Sequence, residues 1–211
     1  MPATAKICGL STPATLDAAI AGGASHVGLN FYSPSPRHVA PELVGALSAR
    51  VPGHVGKVGI FVDPDDALLE RAIDAAALDA VQLHHVTAER AAAVGARFRR
   101  ETWAVVAVKA RADLDLARSF AGAADRIVYD AKTPAGTLPG GMGVRFDWTL
   151  LDGFRHPLPW ALSGGLDPGN VAEAIRRTGA TLVDVSSGVE TAPGVKDSGL
   201  IAGFLRAVAT A

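Results

Sequence analysis

Short apolar runs recur eight times along the chain, and a longer alanine-rich segment follows nearly every one of them. The runs are TAKICGL, SHVGLNF, GKVGIFV, LDAVQLH, TWAVVAV, DRIVYDA, LPWALSGG and ATLVDVSSG. Strands that alternate with helices pair in parallel through right-handed crossovers. Eight such units within 211 residues predict an α/β fold, a single-domain (βα)8 barrel that spans residues 1–211.

The segments between the runs carry helical patterns, among them DALLERAIDAA, AERAAAVGARF and the final SGLIAGFLRAVATA. Thr12-Pro13, Asp63-Pro64 and Asp167-Pro168 each predict a helix start, with an N-cap residue and proline in the first turn. The sixth run is followed by the long loop KTPAGTLPGGMGVR and only a short helical piece around FDWTLLDG. We therefore expect a shortened sixth helical unit.

An open, doubly wound sheet is the competing architecture. Its usual dinucleotide signature, GxGxxG after the first strand, is absent from the sequence. No shift in composition and no linker suggests a second domain.

Composition narrows the classes of partner. Apolar residues make up 49% of the chain and charged residues 19%, which is typical of a compact globular protein. The formal net charge of -1 offers no basic surface for a nucleic acid, so we expect no such partner. A single cysteine excludes an internal disulfide. Without a signal-like N-terminus or a long apolar window, we expect a cytoplasmic protein with no membrane contact.

Period-2 alternation in the strands separates strongly apolar side chains from small or polar ones. We expect the apolar set to face the helices and the other set to face the barrel axis. The second set contains Lys6, Cys8, Gly28, Asn30, Gln82, His84, Asp184 and Ser186. Active sites of such barrels lie at the C-terminal ends of the strands, so these side chains predict a site there.

Several candidate groups have both a structural and a chemical interpretation. Cys8 is either a buried spacer or a reactive thiol beside Lys6, and Asp130 either caps the loop after its strand or acts as an acid or base. Arg37 lies among prolines that would hold its guanidinium in place. No group of His, Cys, Asp and Glu has the spacing of metal ligands, so we expect no metal.

Two glycine-rich loops predict a phosphate site. SGGLDPGNV follows the seventh strand and SSGVETAPGVKD follows the eighth. Loops at these two places in a (βα)8 barrel often bind phosphate through backbone N–H groups. A phosphorylated small molecule is therefore the expected ligand.

In combination, the motifs KICGL, SPSPRHV, KVGIFV, VQLH, YDAK, GGMGVRFDW, LSGGLDPGNV and VDVSSGVETAPGVKD resemble one family, phosphoribosylanthranilate isomerase of tryptophan biosynthesis. The resemblance covers nearly the whole chain. It implies a barrel that needs no cofactor. It also implies an Amadori rearrangement of N-(5-phosphoribosyl)anthranilate to 1-(2-carboxyphenylamino)-1-deoxyribulose 5-phosphate.

The resemblance also implies roles for individual residues. The family's general base falls on Cys8, its general acid on Asp130, and the arginine that faces the anthranilate on Arg37. Further substrate contacts are expected from Lys6, His84 and Asp184. Asp184 could bind a ribose hydroxyl or the anthranilate nitrogen, or could pair with Lys6. The phosphate-binding residues implied are Gly141, Gly143, Gly164, Gly165, Ser187 and Gly188.

The sequence departs from the family pattern at two loop positions, where His85 replaces a glycine and Met142 a threonine. The alternatives are another sugar-phosphate barrel isomerase or epimerase, and a phosphate-binding barrel without catalysis. A monomer and a homodimer are both compatible with the sequence.

Overall fold

The computed structural model describes residues 2–134, 137 and 140–211. Eight parallel strands close into a barrel in the order β1-β2-β3-β4-β5-β6-β7-β8, which confirms the predicted fold class. The strands are β1 Thr4–Cys8, β2 His26–Asn30, β3 Gly56–Val62, β4 Ala80–His84, β5 Glu101–Val108, β6 Arg126–Ala131, β7 Trp160–Leu162 and β8 Leu182–Val185. The first strand pairs with the last, with Lys6 beside Asp184 in the register.

The helices pack around this barrel. They are α1 Pro13–Ala21, α2 Pro41–Ser48, α3 Asp66–Ala76, α4 Ala88–Phe98, α5 Leu116–Ser119, α6 Val171–Thr178 and α7 Ser198–Ala209. Their buried faces and the outward side chains of the strands form one large apolar core. No helix among the described residues is long and apolar enough to cross a membrane.

One of the three predicted helix starts is confirmed and two lie elsewhere. Thr12 caps α1 through its side chain, which accepts a hydrogen bond from the N–H of Thr15. Asp63 has a φ of 42°, outside the range for an N-cap, and Asp65 caps α3 instead. Asp167 accepts from the N–H groups of Gly169 and Asn170 in a turn that precedes α6.

The helical units after β5 and β6 are the shortest. A 3-10 helix at Arg111–Asp115 and the four residues of α5 follow β5, a shortening that the sequence analysis did not predict. After β6 the described chain forms a 3-10 helix at Trp148–Leu151, as the predicted shortened sixth unit requires.

The inner face of the barrel has two levels. The side chains nearer the N-terminal ends of the strands form a separate apolar cluster of Val58, Ala80, Trp103, Val128, Ala161 and Leu182. The expectation of small or polar groups along the axis is therefore wrong at this level. At the C-terminal ends most of the side chains that line a cavity are small or polar, and Ile60 and Val62 of β3 are the apolar exceptions.

A small antiparallel hairpin follows β8. A 3-10 helix at Ser187–Val189 leads into β9 Glu190–Ala192, which pairs with β10 Val195–Lys196. Gly194 forms the turn with a φ of 81°. A Cβ on Gly194 would lie 2.5 Å from the carbonyl oxygen of Pro36, so the hairpin packs closely on the loop after β2.

Candidate active site

A cavity at the C-terminal end of the barrel collects six of the twelve predicted site residues. Its lining combines the ends of seven strands with the loops after β2 and β6. The lining residues are Cys8, Asn30, Tyr32, Ser35, Arg37, Ile60, Val62, Gln82, His84, Asp130, Gly140, Gly141, Ser163, Asp184 and Ser186. We refer to this space as the mouth cavity. It brings the thiol of Cys8 and the carboxyl group of Asp130 into one site.

Cys8 ends β1 and is 8% exposed. The neighbouring Gly28 leaves room for the thiol, because a Cβ there would lie 3.1 Å from Sγ. Burial raises the pKa of the Cys8 thiol, and the Asp184 carboxylate raises it further, whereas Lys6 and Lys196 lower it only in part. The unliganded protein therefore holds Cys8 as a thiol at neutral pH.

Lys6 lies beneath the cavity rather than in its lining. Its ammonium is fully buried and donates a hydrogen bond of 2.9 Å to Oδ1 of Asp184. Of the roles left open for Asp184, the structure thus displays the pairing with Lys6, while Asp184 also borders the cavity. The expected substrate contact of Lys6 stays a prediction, and in this structure its ammonium is directed at Asp184.

Asp130 ends β6 on another side of the same cavity. Its Oδ1 accepts a hydrogen bond of 2.9 Å from the N–H of Ala131. Burial and the nearby Asp184 carboxylate raise the pKa of Asp130 to about 7, although the bond from Ala131 and the charge of Lys6 oppose the shift. A carboxyl group with this pKa is protonated in a large fraction of molecules at neutral pH and can donate a proton.

His84 is a neutral imidazole in the lining of the cavity. Burial lowers its pKa to about 3, and Lys6 and His85 add to the effect. Its Nε2 lies 3.2 Å from the side-chain nitrogen of Gln82, so an amide donating there leaves Nε2 as the acceptor. His84 is thus suited to hydrogen bonding and carries no charge.

Arg37 is held by a buried carboxylate that the sequence analysis missed. Its Nε and Nη2 donate to Oε1 and Oε2 of Glu190 at 2.8 and 2.7 Å, and Nη2 also donates to the carbonyl oxygen of Gly141 at 2.9 Å. Lys196 forms a second ion pair with Glu190. One sequence signal could have predicted the pair of Glu190 and Lys196. Pro193-Gly194 is typical of a hairpin turn, which would bring the residues on either side of it together.

A groove lined by glycines continues from the mouth cavity toward the loops after β7 and β8. Five of the six expected phosphate-binding residues line it: Gly141, Gly143, Gly164, Gly165 and Ser187. The sixth, Gly188, borders the adjoining outer part, together with Gly143 and Ser187. Within the described residues, the backbone N–H groups of Gly164, Gly165, Ser187 and Gly188 donate to no acceptor.

Two of these glycines are also required by close packing. A Cβ on Gly188 would lie 1.9 Å from the carbonyl oxygen of Leu166, and one on Gly164 would lie 2.6 Å from the backbone nitrogen of Ala131. Gly164 also has a φ of 89°. The loop after β8 therefore packs on the loop after β7, and the loop after β7 packs on the end of β6, only without side chains at these positions.

The structure describes both residues that depart from the family pattern, His85 and Met142. His85 has a φ of 58°, in the left-handed region that favours glycine. Met142 is 48% exposed and borders the glycine-lined groove. Among the described residues, no three His, Cys, Asp or Glu side chains are grouped so that they could hold a metal ion.

Comparison with known proteins places the chain in a family. The family model described as N-(5'phosphoribosyl)anthranilate (PRA) isomerase matches residues 5–207. A Rhodospirillum centenum protein named N-(5'-phosphoribosyl)anthranilate isomerase is 56% identical over 212 residues, with 99% of each chain covered. The chain belongs to the phosphoribosylanthranilate isomerase family. A relative with the same name from Paramagnetospirillum magneticum is 50% identical and covers 98% of this chain and 97% of its own.

Solved structures of the phosphoribosylanthranilate isomerase family share the fold. The crystal structure from Thermotoga maritima is 32% identical, with a TM-score of 0.87 over 99% of this chain and all of that one. Another family structure, 30% identical with a TM-score of 0.83 and the same coverage, holds reduced 1-(o-carboxyphenylamino)-1-deoxyribulose 5-phosphate. A further Thermotoga maritima structure is of monomers generated from a dimeric isomerase. The resemblance seen in the motifs is thereby confirmed.

Proposed function

We propose that the protein converts N-(5-phosphoribosyl)anthranilate to 1-(2-carboxyphenylamino)-1-deoxyribulose 5-phosphate, an isomerisation in tryptophan biosynthesis. The observation that carries the proposal is the presence of Cys8 and Asp130 in one cavity that continues into a groove of glycines. Asp130 provides an acid and Cys8 a base. The groove provides donors for a phosphate, and Arg37 at its edge provides a cation for the anthranilate carboxylate.

Asp130 is proposed as the general acid that opens the ribose ring. The furanose oxygen must gain a proton as the bond between it and C1 breaks, and this leaves a protonated imine at C1. A carboxyl group with a pKa of about 7 supplies that proton near neutral pH. Because Oδ1 accepts the N–H of Ala131, the proton belongs on Oδ2, which is directed toward Gly140.

Cys8 is proposed as the general base that removes the proton from C2. The pair of electrons left at C2 moves into the C1–C2 bond and neutralises the imine nitrogen, which gives an enolamine that tautomerises to the ketone. The raised pKa of the thiol disfavours a thiolate in the empty site. The protonated imine places a positive charge near the thiol, which lowers the pKa of Cys8 only when the ring has opened.

The remaining polar groups are proposed to bind the two ends of the substrate. Backbone N–H groups of Gly164, Gly165, Ser187 and Gly188 have no acceptor within the described residues and are suited to the phosphate. His84 and Asp184 border the space between the two ends and are suited to ribose hydroxyls. No metal or cofactor enters this scheme, because acid and base alone complete it.

The test is an assay of the purified chain for consumption of N-(5-phosphoribosyl)anthranilate, followed by its fluorescence, with identification of the product by mass and retention time. We expect turnover without added metal or cofactor, and competitive inhibition by inorganic phosphate. A chain that binds phosphate but leaves the substrate unchanged would instead favour a phosphate-binding barrel without catalysis.

A further inference from the structure

Glu190 is bonded on both of its carboxylate oxygens by buried donors. Oε1 accepts from Nε of Arg37 and from Nζ of Lys196, and Oε2 accepts from Nη2 of Arg37 and from the N–H of Gly194 at 3.2 Å. The side chains of Glu190 and Lys196 are 3% and 2% exposed. A carboxylate with four donors has no free lone pair directed at a ligand, so Glu190 is not itself a substrate contact.

The hairpin provides this arrangement and joins it to the loop after β2. Glu190 and Lys196 are opposite each other in the β9–β10 register. Lys196 also donates to the carbonyl oxygen of Ser186 at 3.0 Å, at the end of β8. The cluster thus connects the loop that carries Arg37 with the loop that follows β8.

The hydrogen bonds of Arg37 determine which of its edges remains for a ligand. Nε and Nη2 are directed at Glu190, and Nη2 also donates to Gly141. The two hydrogens of Nη1 have no acceptor among the described residues, and Nη1 lies 2.5 Å from the point where a Cβ of Gly141 would stand. A bidentate pair with a carboxylate fixes the guanidinium plane as well as its position.

We propose that Glu190 is a positioning residue that holds Arg37 so that only the Nη1 edge is presented to the anthranilate carboxylate. The inference rests on the proposed function. Arg37 and Lys196 are two buried cations around one buried anion, Glu190, so the cluster carries a surplus positive charge. The surplus positive charge is compensated when the substrate carboxylate arrives. The site thereby favours a substrate whose aromatic ring carries a carboxylate next to the amine.

The test compares Glu190→Gln with the wild type in three measurements: kcat, KM and the Kd of the reduced product analogue. Glutamine keeps the shape but removes the charge and one acceptor. Because Arg37 meets the substrate in the ground state and the transition state alike, we expect KM and Kd to rise about 10- to 100-fold and kcat to stay within about threefold. The inhibition constant of inorganic phosphate should stay within about twofold, because in the proposed function phosphate binds backbone N–H groups of the loops after β7 and β8 and Arg37 binds the carboxylate.

Two further variants separate positioning from a general structural effect. In an Arg37→Ala background, Glu190→Gln should add little to the loss of affinity, since it acts through Arg37. Glu190→Gln/Lys196→Met removes one charge of each sign and leaves the net charge of the cluster unchanged, so it tests the same loss of affinity if the single variant does not fold. Glu173→Gln, at an exposed position in α6, is the matched control.

An unchanged Kd for the analogue in folded Glu190→Gln would overturn the inference. A parallel rise in the inhibition constant of phosphate would also overturn it, because the whole site would then be disturbed. A wild-type chain without turnover overturns the proposed function and this inference together. Turnover by the wild type with unchanged affinity in the variant overturns only the inference.

Discussion

Asp130 is a buried carboxyl group with few compensating contacts, and this makes its protonation state a property of the fold. Its Oδ1 accepts one backbone N–H, its neighbour Asp184 is negatively charged, and burial removes it from water. An ionised carboxylate there costs free energy that an exposed aspartate would not. The same environment that suits Asp130 to donate a proton therefore destabilises the native protein when that proton is lost.

The stability of Asp130→Asn should accordingly depend on pH differently from that of the wild type. The pKa of Asp130 is about 7 in the native state against 3.8 for an ordinary aspartate, so the native state binds more protons between these values. The free energy of unfolding of the wild type should fall as pH rises through this window, by on the order of 4 kcal/mol from this group. Asparagine does not titrate, so the variant lacks this pH-dependent contribution to the free energy of unfolding.

Urea unfolding of both proteins at pH 4.5 and pH 8 measures the effect. As pH rises, we expect the free energy of unfolding of the variant to increase by several kcal/mol relative to that of the wild type, in proportion to the pKa shift. A difference between the two proteins that is independent of pH would show that Asp130 titrates near its ordinary value.

His85 has a backbone conformation that favours glycine and strains a residue with a side chain. Its φ of 58° is in the left-handed region, which costs a non-glycine residue about 1 kcal/mol. We expect His85→Gly to raise the free energy of unfolding by up to about 1 kcal/mol, since relief of strain exceeds the added entropy of the unfolded chain. The exposed His54, which has no positive φ, is the control, and His54→Gly should destabilise. Loss of stability in both variants would contradict this explanation.

At the scale of elements, the loops after β7 and β8 form the glycine-lined groove by packing on one another. Gly188 is where they meet, against the carbonyl oxygen of Leu166. The short 3-10 helix at Ser187–Val189 keeps its first N–H groups directed away from other acceptors of the described chain. The shape of the groove and the direction of its N–H donors therefore depend on the same contact between Gly188 and Leu166.

Gly188→Ala should separate the two loops and weaken the binding of phosphate. We expect KM and the inhibition constant of inorganic phosphate to rise together by about 10-fold or more, because the backbone donors no longer converge. Gly53→Ala is the matched control, since a Cβ there meets nothing within 4 Å and φ is not positive. Equal inhibition constants in all three proteins would place the phosphate elsewhere.

Helices with strong periodicity could be predicted closely from the sequence, whereas two of the three helix starts and the hairpin after β8 could not. The segments DALLERAIDAA and AERAAAVGARF coincide with α3 and α4. Asp63-Pro64 has the composition of a helix start, but the N–H of Asp63 is bonded to the carbonyl oxygen of His84 and the chain turns there. Contacts between distant segments decide such cases, and a single sequence contains no direct signal of them.

The same limit applies to the site. The positions of Cys8 and His84 at the C-terminal end of the barrel could be predicted from strand alternation, and Asp130 stood out as a carboxylate that closes an apolar strand. The contact between Arg37 and Glu190 joins residues 153 positions apart, so no local pattern indicates it. Strand alternation placed Lys6 and Asp184 on the inner face of the barrel, but the sequence alone did not decide whether they pair with each other, as they do here.

At the scale of the whole molecule, the buried pair of Lys6 and Asp184 joins the first strand to the last. The two residues are adjacent in the β1–β8 register, with 2.9 Å between Nζ and Oδ1. Both are shielded from water, so each charge depends on the other for compensation. The pair therefore stabilises the closure of the barrel as well as the electrostatics beneath the mouth cavity.

Lys6→Met should leave Asp184 buried without its partner. We expect a loss of about 3–5 kcal/mol in the free energy of unfolding, and recovery of much of that loss in Lys6→Met/Asp184→Asn. Denaturant midpoints of the wild type, the two single variants and the double variant complete the cycle. Additive losses in the double variant would mean that the two charges do not depend on each other.

The most direct test of the account is kcat for Cys8→Ala and Asp130→Asn, together with the Kd of the reduced product analogue. In the proposed function Asp130 and Cys8 act on the reacting atoms as acid and base, so each variant should lose about 10²- to 10⁴-fold in kcat. Both should bind the analogue with nearly the wild-type Kd, because Arg37 and the glycine-lined groove are unchanged. Either variant with more than about a tenth of wild-type kcat, at a step limited by chemistry, would contradict the assignment of that residue.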